Sequence, residues 1–167
     1  MKKVKFIFFE GISWSSKIIR WFTRSKFSHV GLYLSDYHIL EVYHYDPVEI
    51  WKLEWLDNDI WAHKNSTKYV IIELEVTEDQ YDKIYNFIKR LVVSKTKYDW
   101  KSVFKFVFKS KPKANNKYFC SEGCMSALKR AFPDRFNDIN PATISPQMFY
   151  VILKAMGGRV FKKSVVA

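Results

Sequence analysis

The chain has 167 residues, of which 48% are hydrophobic and 18% aromatic, and this composition excludes an intrinsically disordered protein. We predict one folded domain over residues 1–167, because this length is enough to bury a core without disulfides or metals. The net charge of +11 favours an anionic partner, either a membrane, a cell-wall polymer or a nucleic acid, and solubility alone is an equally weighted alternative.

The N-terminal segment MKKVKFIFFEG combines a basic start with a short apolar run, as a signal peptide does. The apolar run ends before Glu10, which is too short, and no small-residue cleavage site follows it. We therefore predict a first strand over residues 4–9 and no cleavable signal peptide. No segment approaches the roughly 18 consecutive apolar residues of a membrane-spanning helix.

The rest of the first half is rich in short aromatic and β-branched segments separated by turn signals, which predicts further strands. Between the first two strands, the spacing of Ile18, Ile19 and Phe22 indicates a short helix. The polar stretch 57–68 predicts a loop. The further strands are predicted over residues 29–34, 38–44, 48–53 and 69–76.

The second half shows the helical period instead. Thr77 and Gln80 form a capping box, and apolar residues then recur at helical spacing as far as Val92. Later helices are predicted over residues 100–109, from Cys120 onward, and from Ser145–Pro146 to Gly157–Gly158, with a basic loop over 109–117. Strands followed by helices predict an α+β fold.

Four lysines, Lys97, Lys101, Lys105 and Lys109, recur every four residues and alternate with aromatic residues. On a helix this spacing makes a basic stripe beside an aromatic one. Such a stripe either contacts an anionic surface, such as a membrane or a phosphate backbone, or is an ordinary solvated helix face. The four lysines are therefore candidate contacts for an anionic partner.

Cys120, in the run YFCSEGC, is the strongest candidate for chemistry. A helix N-terminus stabilises a thiolate, and a nearby imidazole can take the thiol proton. His29, at the start of a predicted strand, supplies the candidate base. Cys124 follows one helical turn after Cys120, so we expect the two to share a face rather than form a disulfide, which fits a reducing compartment.

A histidine base needs a third group that fixes its tautomer and ring orientation. If the strands around His29 and Glu41 form a hairpin turning near Ser35–Asp36, Glu41 lies roughly opposite His29, about 4.5–5.5 Å away. Each of these residues also has a structural interpretation: a lone cysteine is more often part of the core, a strand histidine is usually structural, and Glu41 can face solvent. The conjunction of the three favours a site.

Five segments resemble the permuted NlpC-type papain-like cysteine amidase and peptidase superfamily, the branch that includes bacterial lipoprotein-like amidases, lecithin retinol acyltransferase relatives and viral members. They are FTRSKFSHVGLYL (22–34), EVY (41–43), KYDW (97–100), YFCSEGC (118–124) and ISPQMF (144–149). The resemblance implies a circularly permuted papain-like α+β fold. In that fold an antiparallel sheet packs against helices, and the nucleophile lies at a helix N-terminus.

Carried over by position, the resemblance implies that Cys120 is the nucleophile, His29 the general base and Glu41 the residue that orients His29. Glu122 matches an acidic residue two positions after the nucleophile and is expected to support the helix start. The backbone N–H of Cys120 is one expected oxyanion donor, and the second is unassigned. KYDW is expected to pack near the cleft.

The implied function is that of a cysteine hydrolase, an amidase or peptidase that cleaves an amide- or ester-containing substrate through an acyl-enzyme intermediate. Cell-wall peptides and other amide- or ester-linked conjugates are the expected substrates. No cofactor and no metal are predicted, since His38, His44 and His63 show no metal-like spacing.

Two alternatives remain at this stage. The first is a lipid acyltransferase with the same fold and nucleophile. The second is a catalytically idle, basic binding or structural protein that engages an anionic membrane or nucleic acid. The predicted localisation is cytoplasmic or virion-associated.

Overall fold

The computed structural model describes residues 1–12, 14–35, 38–41, 49–52, 68–93, 97–98 and 117–165. Within these ranges the protein is a mixed α+β structure in which an antiparallel sheet packs against helices. The strands are β1 (Lys2–Glu10), β2 (His29–Ser35), β3 (His38–Glu41), β4 (Glu49–Lys52), β5 (Lys68–Val76), β6 (Lys97–Tyr98), β7 (Lys117–Tyr118) and β8 (Arg159–Val165). The helices are α1 (Trp14–Thr23), α2 (Glu78–Val93), α3 (Cys120–Ala131), α4 (Pro133–Phe136) and α5 (Pro146–Ala155), with a 3-10 turn at Pro141–Thr143.

The main sheet has six strands in the described ranges, in the order β4-β3-β2-β1-β5-β8, and each neighbouring pair is antiparallel. Strand β1 lies inside the sheet because its central residues, 6–9, are apolar without interruption. All four are fully buried, so the strand is covered on both faces. The central position of β1 places β2, and with it His29, directly beside the core.

Helices α2 and α3 pack against each other, and α3 also packs on β2. On the same side of the sheet, Phe149 of α5 sits edge-to-face on Phe6 of β1, with ring centroids 5.1 Å apart, and also contacts Phe8. These aromatic contacts fasten the last helix to the central strand. The result is one continuous apolar core that includes Cys120 and Cys124.

The predicted starts of helices α2 and α5 are confirmed. Thr77 and Gln80 form the capping box of α2: the Gln80 side chain accepts from the Thr77 N–H at 2.9 Å, and the Thr77 hydroxyl accepts from the Gln80 N–H at 3.2 Å. At the start of α5, the Ser145 hydroxyl accepts from the Met148 N–H. After α5, Gly157 adopts a φ of 90°, a left-handed conformation that favours glycine.

The five predicted strands of the first half and the helix between the first two are confirmed within the described residues. Residues 42–44, 48 and 53 of the predicted strands lie outside the described ranges. One strand was missed and one prediction is wrong. Strand β8 was not predicted, although it forms an edge of the sheet beside β5. Lys97 lies in β6, which pairs in parallel with β7, so it is not part of a helical lysine stripe.

Several further predictions concern residues outside the described ranges. They include Lys101, Lys105 and Lys109, the helix over 100–109 and nearly all of the loops over 57–68 and 109–117; Lys68 and Lys117 themselves lie in strands. Among the helices that the structure describes, none is both long enough and apolar enough to cross a membrane.

Candidate active site

Cys120 is the first residue of α3, as predicted. The preceding Phe119 is extended, and its carbonyl accepts the first helical hydrogen bond from the Gly123 N–H at 3.0 Å. The Glu122 carboxylate accepts from the Phe119 N–H at 3.4 Å, which ties the first turn to the residue before it. The Cys120 thiol therefore stands at the N-terminus of a twelve-residue helix, where the helix dipole favours negative charge.

His29 is the first residue of β2, and the residue before it is anchored twice, to β1 and to the residue that follows β1. The Ser28 N–H donates to the Phe9 carbonyl at 2.9 Å, and the Ser28 hydroxyl accepts from the Gly11 N–H at 3.0 Å. The His29 ring lies beside the Phe9 ring, with centroids 6.0 Å apart. These contacts hold the imidazole at the edge of the core, where it is half-buried.

The tertiary structure brings Cys120 and His29 into direct hydrogen-bonding contact. Burial, the largest influence, raises the pKa of the Cys120 thiol, but the charge and hydrogen bond of His29 act against it. Backbone N–H groups of Val30 and Ser121 also donate toward the sulfur, and together these groups hold the pKa of Cys120 below its ordinary value. These contacts therefore favour the thiolate form of Cys120 more than burial alone would.

Access to the sulfur is narrow, because Cys120 is only 5% exposed. Cys124 is equally buried one turn further along α3, and both cysteines are in the thiol form. The two residues share the core-facing side of the helix, as expected, and no disulfide joins them. Of the two, Cys120 is the one that lies at the helix terminus and interacts with an imidazole.

The predicted position of Glu41 opposite His29 is wrong in register. Leu40 of β3 pairs with Leu32 of β2, so the next residue, Glu41, continues level with Gly31, two residues from His29. The turn lies further along the chain than predicted, since β2 runs to Ser35, and the ladder contains an irregularity just before that residue. The Glu41 backbone is therefore a diagonal neighbour of His29 across the strands, and the Glu41 side chain lies outside what the structure describes.

Ser121 is a site residue that the sequence analysis missed. It is fully buried, and its hydroxyl donates to the Ile144 carbonyl at 2.6 Å, which links the start of α3 to the segment before α5. Its backbone N–H also points toward the Cys120 sulfur. The available signal was a serine directly after the cysteine, in a helix whose other core-facing residues are mostly apolar.

We expect Ser121→Ala to lower the free energy of unfolding by about 1–3 kcal/mol, because the buried Ile144 carbonyl loses its donor. The start of α3 should also shift, which will change the rate at which a thiol reagent labels Cys120. Chemical denaturation and peptide-resolved labelling measure the two effects. Ser126→Ala, a buried serine further along α3, is the control and should leave the Cys120 labelling rate unchanged.

The part of the chain that the structure describes contains no group of three or more histidine, cysteine, aspartate or glutamate side chains placed to hold a metal ion. The described contacts of Cys120 instead involve one imidazole and two backbone N–H groups.

No family model and no curated protein sequence matches the chain. Among solved structures, the chain is similar to one described as the metalloprotein yiiX from Escherichia coli O157:H7, DUF1105. The TM-score is 0.60 at 19% sequence identity, and the match covers 99% of this chain and 96% of that one. At this identity the likeness concerns the fold alone.

Proposed function

We propose that this protein is a cysteine hydrolase of permuted papain-like fold, which cleaves an amide or ester with Cys120 as nucleophile and His29 as general base. The observation that carries the proposal is the thiol at the N-terminus of α3, in hydrogen-bonding contact with His29 and with a lowered pKa. A core cysteine needs neither feature. A thiol nucleophile benefits from both, because the thiolate is the reactive form.

In the first half of the reaction, the Cys120 sulfur attacks the carbonyl carbon of the substrate and the carbonyl oxygen takes up the negative charge. The backbone N–H of Cys120 is the donor assigned to that oxygen. The protonated His29 then donates its proton to the departing amine or alcohol as the bond to the carbonyl carbon breaks. This step leaves a thioester between the acyl group and Cys120.

In the second half, His29 accepts a proton from water while the water oxygen attacks the thioester carbonyl. Collapse of the second tetrahedral intermediate releases a carboxylic acid and returns the Cys120 thiolate and the protonated His29. Glu41 is proposed as the residue that orients the imidazole, on the basis of the family resemblance. An acyltransferase differs only in that an amine or alcohol replaces water in this half.

The proposal is tested with p-nitrophenyl esters of short and long acyl chains, which are activated and need little specific binding. The wild-type protein should release p-nitrophenolate in a burst and gain the mass of one acyl group on the Cys120 peptide. Cys120→Ser should lose both signals, and Cys124→Ala, the matched control on the same helix, should keep them. Decay of the adduct in water indicates a hydrolase, whereas decay only after an added amine or alcohol indicates a transferase.

Acylation of Cys120 and Cys124 to the same small extent would contradict the proposal. So would a burst that persists in Cys120→Ser. Either result would favour the alternative of a basic binding protein that keeps the fold without turnover.

A further inference from the structure

Helix α1 exposes its largest apolar side chains to solvent. Trp14 is 79% exposed and Trp21 is 75% exposed, and these two residues lie two turns apart on one side of the helix. Phe22 is 44% exposed and contacts the Trp21 ring edge-to-face, with centroids 4.7 Å apart. The three rings form one exposed aromatic surface, which we call the α1 aromatic face.

The less exposed positions of α1 combine polar residues with Ile18 and Ile19. Arg20 is half-buried and donates from Nη1 to the Gly11 carbonyl at 3.4 Å. Ser16 is also half-buried and packs closely against Gly11. A Cβ atom added to Gly11 would lie only 2.3 Å from the Ser16 hydroxyl oxygen. A surface helix of a soluble protein normally buries its apolar side and exposes its polar side. In α1 the largest apolar side chains are instead exposed, while the smaller Ile18 and Ile19 are half-buried.

The chain segment that carries the α1 aromatic face has only positively charged side chains. From Gly11 to Phe27 the sequence contains four cationic side chains and no acidic one. Lys17 and Arg24 are exposed, while Lys26 pairs with Glu10 of β1 at 3.1 Å. The face therefore combines large aromatic rings with exposed cations that have no acidic neighbour on the segment.

We propose that α1 docks this protein on the surface of a membrane that contains anionic phospholipid. Tryptophan favours the interface between lipid headgroups and acyl chains, where its ring is buried and its N–H stays near water. Lys17 and Arg24 would contact lipid phosphates at the same depth. A membrane surface thus covers both the rings and the charges.

Two other occupants fit less well. A nucleic acid duplex would use the cations on its phosphate backbone but would leave Trp14 and Trp21 uncovered. A second copy of the chain would cover the rings but would bring the Lys17 and Arg24 side chains of the two copies together, at an electrostatic cost. Charge complementarity therefore favours the anionic lipid surface.

The proposal does not rest on the chemistry of Cys120, and its failure would leave the hydrolase proposal standing. The docking helix is nevertheless connected to the site. The Ser25 N–H donates to the Arg20 carbonyl at 2.9 Å, and the Gly11 N–H donates to the Ser28 hydroxyl directly before His29. A membrane bound at α1 would lie beside the strand that carries the proposed base.

The test is co-sedimentation of the full chain with vesicles made of equal parts of phosphatidylcholine and phosphatidylserine. Wild-type protein should pellet with these vesicles, bind vesicles of phosphatidylcholine alone more weakly, and detach as the salt concentration rises. The double variant Trp14→Ala/Trp21→Ala should bind at least about tenfold more weakly, because two large rings no longer enter the interface. Lys17→Glu/Arg24→Glu should lose the preference for phosphatidylserine.

The matched control is Phe161→Ala, which removes another exposed aromatic side chain, one that lies on the edge strand β8 with Lys5 over its ring. This variant should bind like wild type. Equal binding by Trp14→Ala/Trp21→Ala and wild type would overturn the proposal, as would equal binding to both kinds of vesicle. Absence of vesicle binding by the wild-type protein would also overturn it. If Trp14→Ala/Trp21→Ala then abolished binding to duplex DNA, or a dimer detected by light scattering, α1 would be assigned to that partner instead.

Discussion

Replacing His29 with alanine should slow the alkylation of Cys120 by iodoacetamide at neutral pH by at least about tenfold. In the wild-type protein, burial raises the pKa of the thiol, and His29 opposes this through its charge and its hydrogen bond. The variant keeps the burial and the backbone N–H groups of Val30 and Ser121 but loses the charge and hydrogen bond of His29, so the pKa of Cys120 should rise. A smaller fraction of Cys120 is then the reactive thiolate at pH 7.

The pH dependence of Cys120 alkylation should distinguish the wild-type protein from His29→Ala more clearly than the rate at one pH. Because the folded wild-type protein holds the pKa of Cys120 below its ordinary value, its alkylation should persist as the pH falls below about 8.5 and decline only when the thiolate is protonated. In His29→Ala the whole profile should move to higher pH. A thiolate of lower pKa is intrinsically less nucleophilic. On a logarithmic scale, this loss of nucleophilicity offsets only about half of the rate that is gained from the larger thiolate fraction.

The labelling experiment has an internal comparison, since Cys124 is as buried as Cys120 and lies on the same helix. Peptide-resolved mass spectrometry should show wild-type Cys120 reacting first, and Cys124→Ala should leave the Cys120 profile unchanged. Equal and slow labelling of both cysteines at pH 7 would contradict the assignment of Cys120 as nucleophile. An unchanged profile in His29→Ala would contradict the role of the histidine.

Phe149→Ala should lower the free energy of unfolding by about 3–5 kcal/mol, the largest stability effect that we expect from a single core substitution. Phe149 is fully buried, and its ring contacts two residues of the central strand: Phe6 at 5.1 Å and Phe8 at 6.0 Å between centroids. Truncation removes this buried surface and leaves a cavity between α5 and β1. Urea denaturation followed by circular dichroism should show a lower midpoint with a similar slope.

Met148→Ala is the matched control, because Met148 precedes Phe149 on the same helix but is 47% exposed. It should change stability by less than about 1 kcal/mol. If Phe149→Ala were no more destabilising than Met148→Ala, α5 would not be fastened to the sheet through this ring. The packing of the last helix on β1 would then need another explanation.

Local patterns were sufficient to predict several elements. The first strand follows from an uninterrupted apolar run, and the ends of α2 and α5 follow from Thr77, Ser145 and the glycines after Ala155. Each of these signals acts through hydrogen bonds or dihedral angles within a few residues. Such interactions depend little on the rest of the fold, so the sequence was a good guide to them.

Strand pairing was predicted less well, because it depends on residues that are distant in sequence. Strand β8 carries lysines beside its apolar residues, and only its partner β5 makes it part of the sheet. The position of Glu41 was wrong by two residues, since a ladder irregularity and the exact length of a turn set the register. Neither leaves a clear mark in the sequence.

The sequence alone determined that Cys120 begins a helix and that His29 begins a strand, because capping and short-range periodicity are local. Only the tertiary structure decided that these two residues touch and that burial and the imidazole act in opposite directions on one thiol. It also decided which side of α1 faces solvent, which no helical period can tell. The physical reason is the same in each case: pKa and exposure depend on what surrounds a side chain, and distant parts of the chain supply those surroundings.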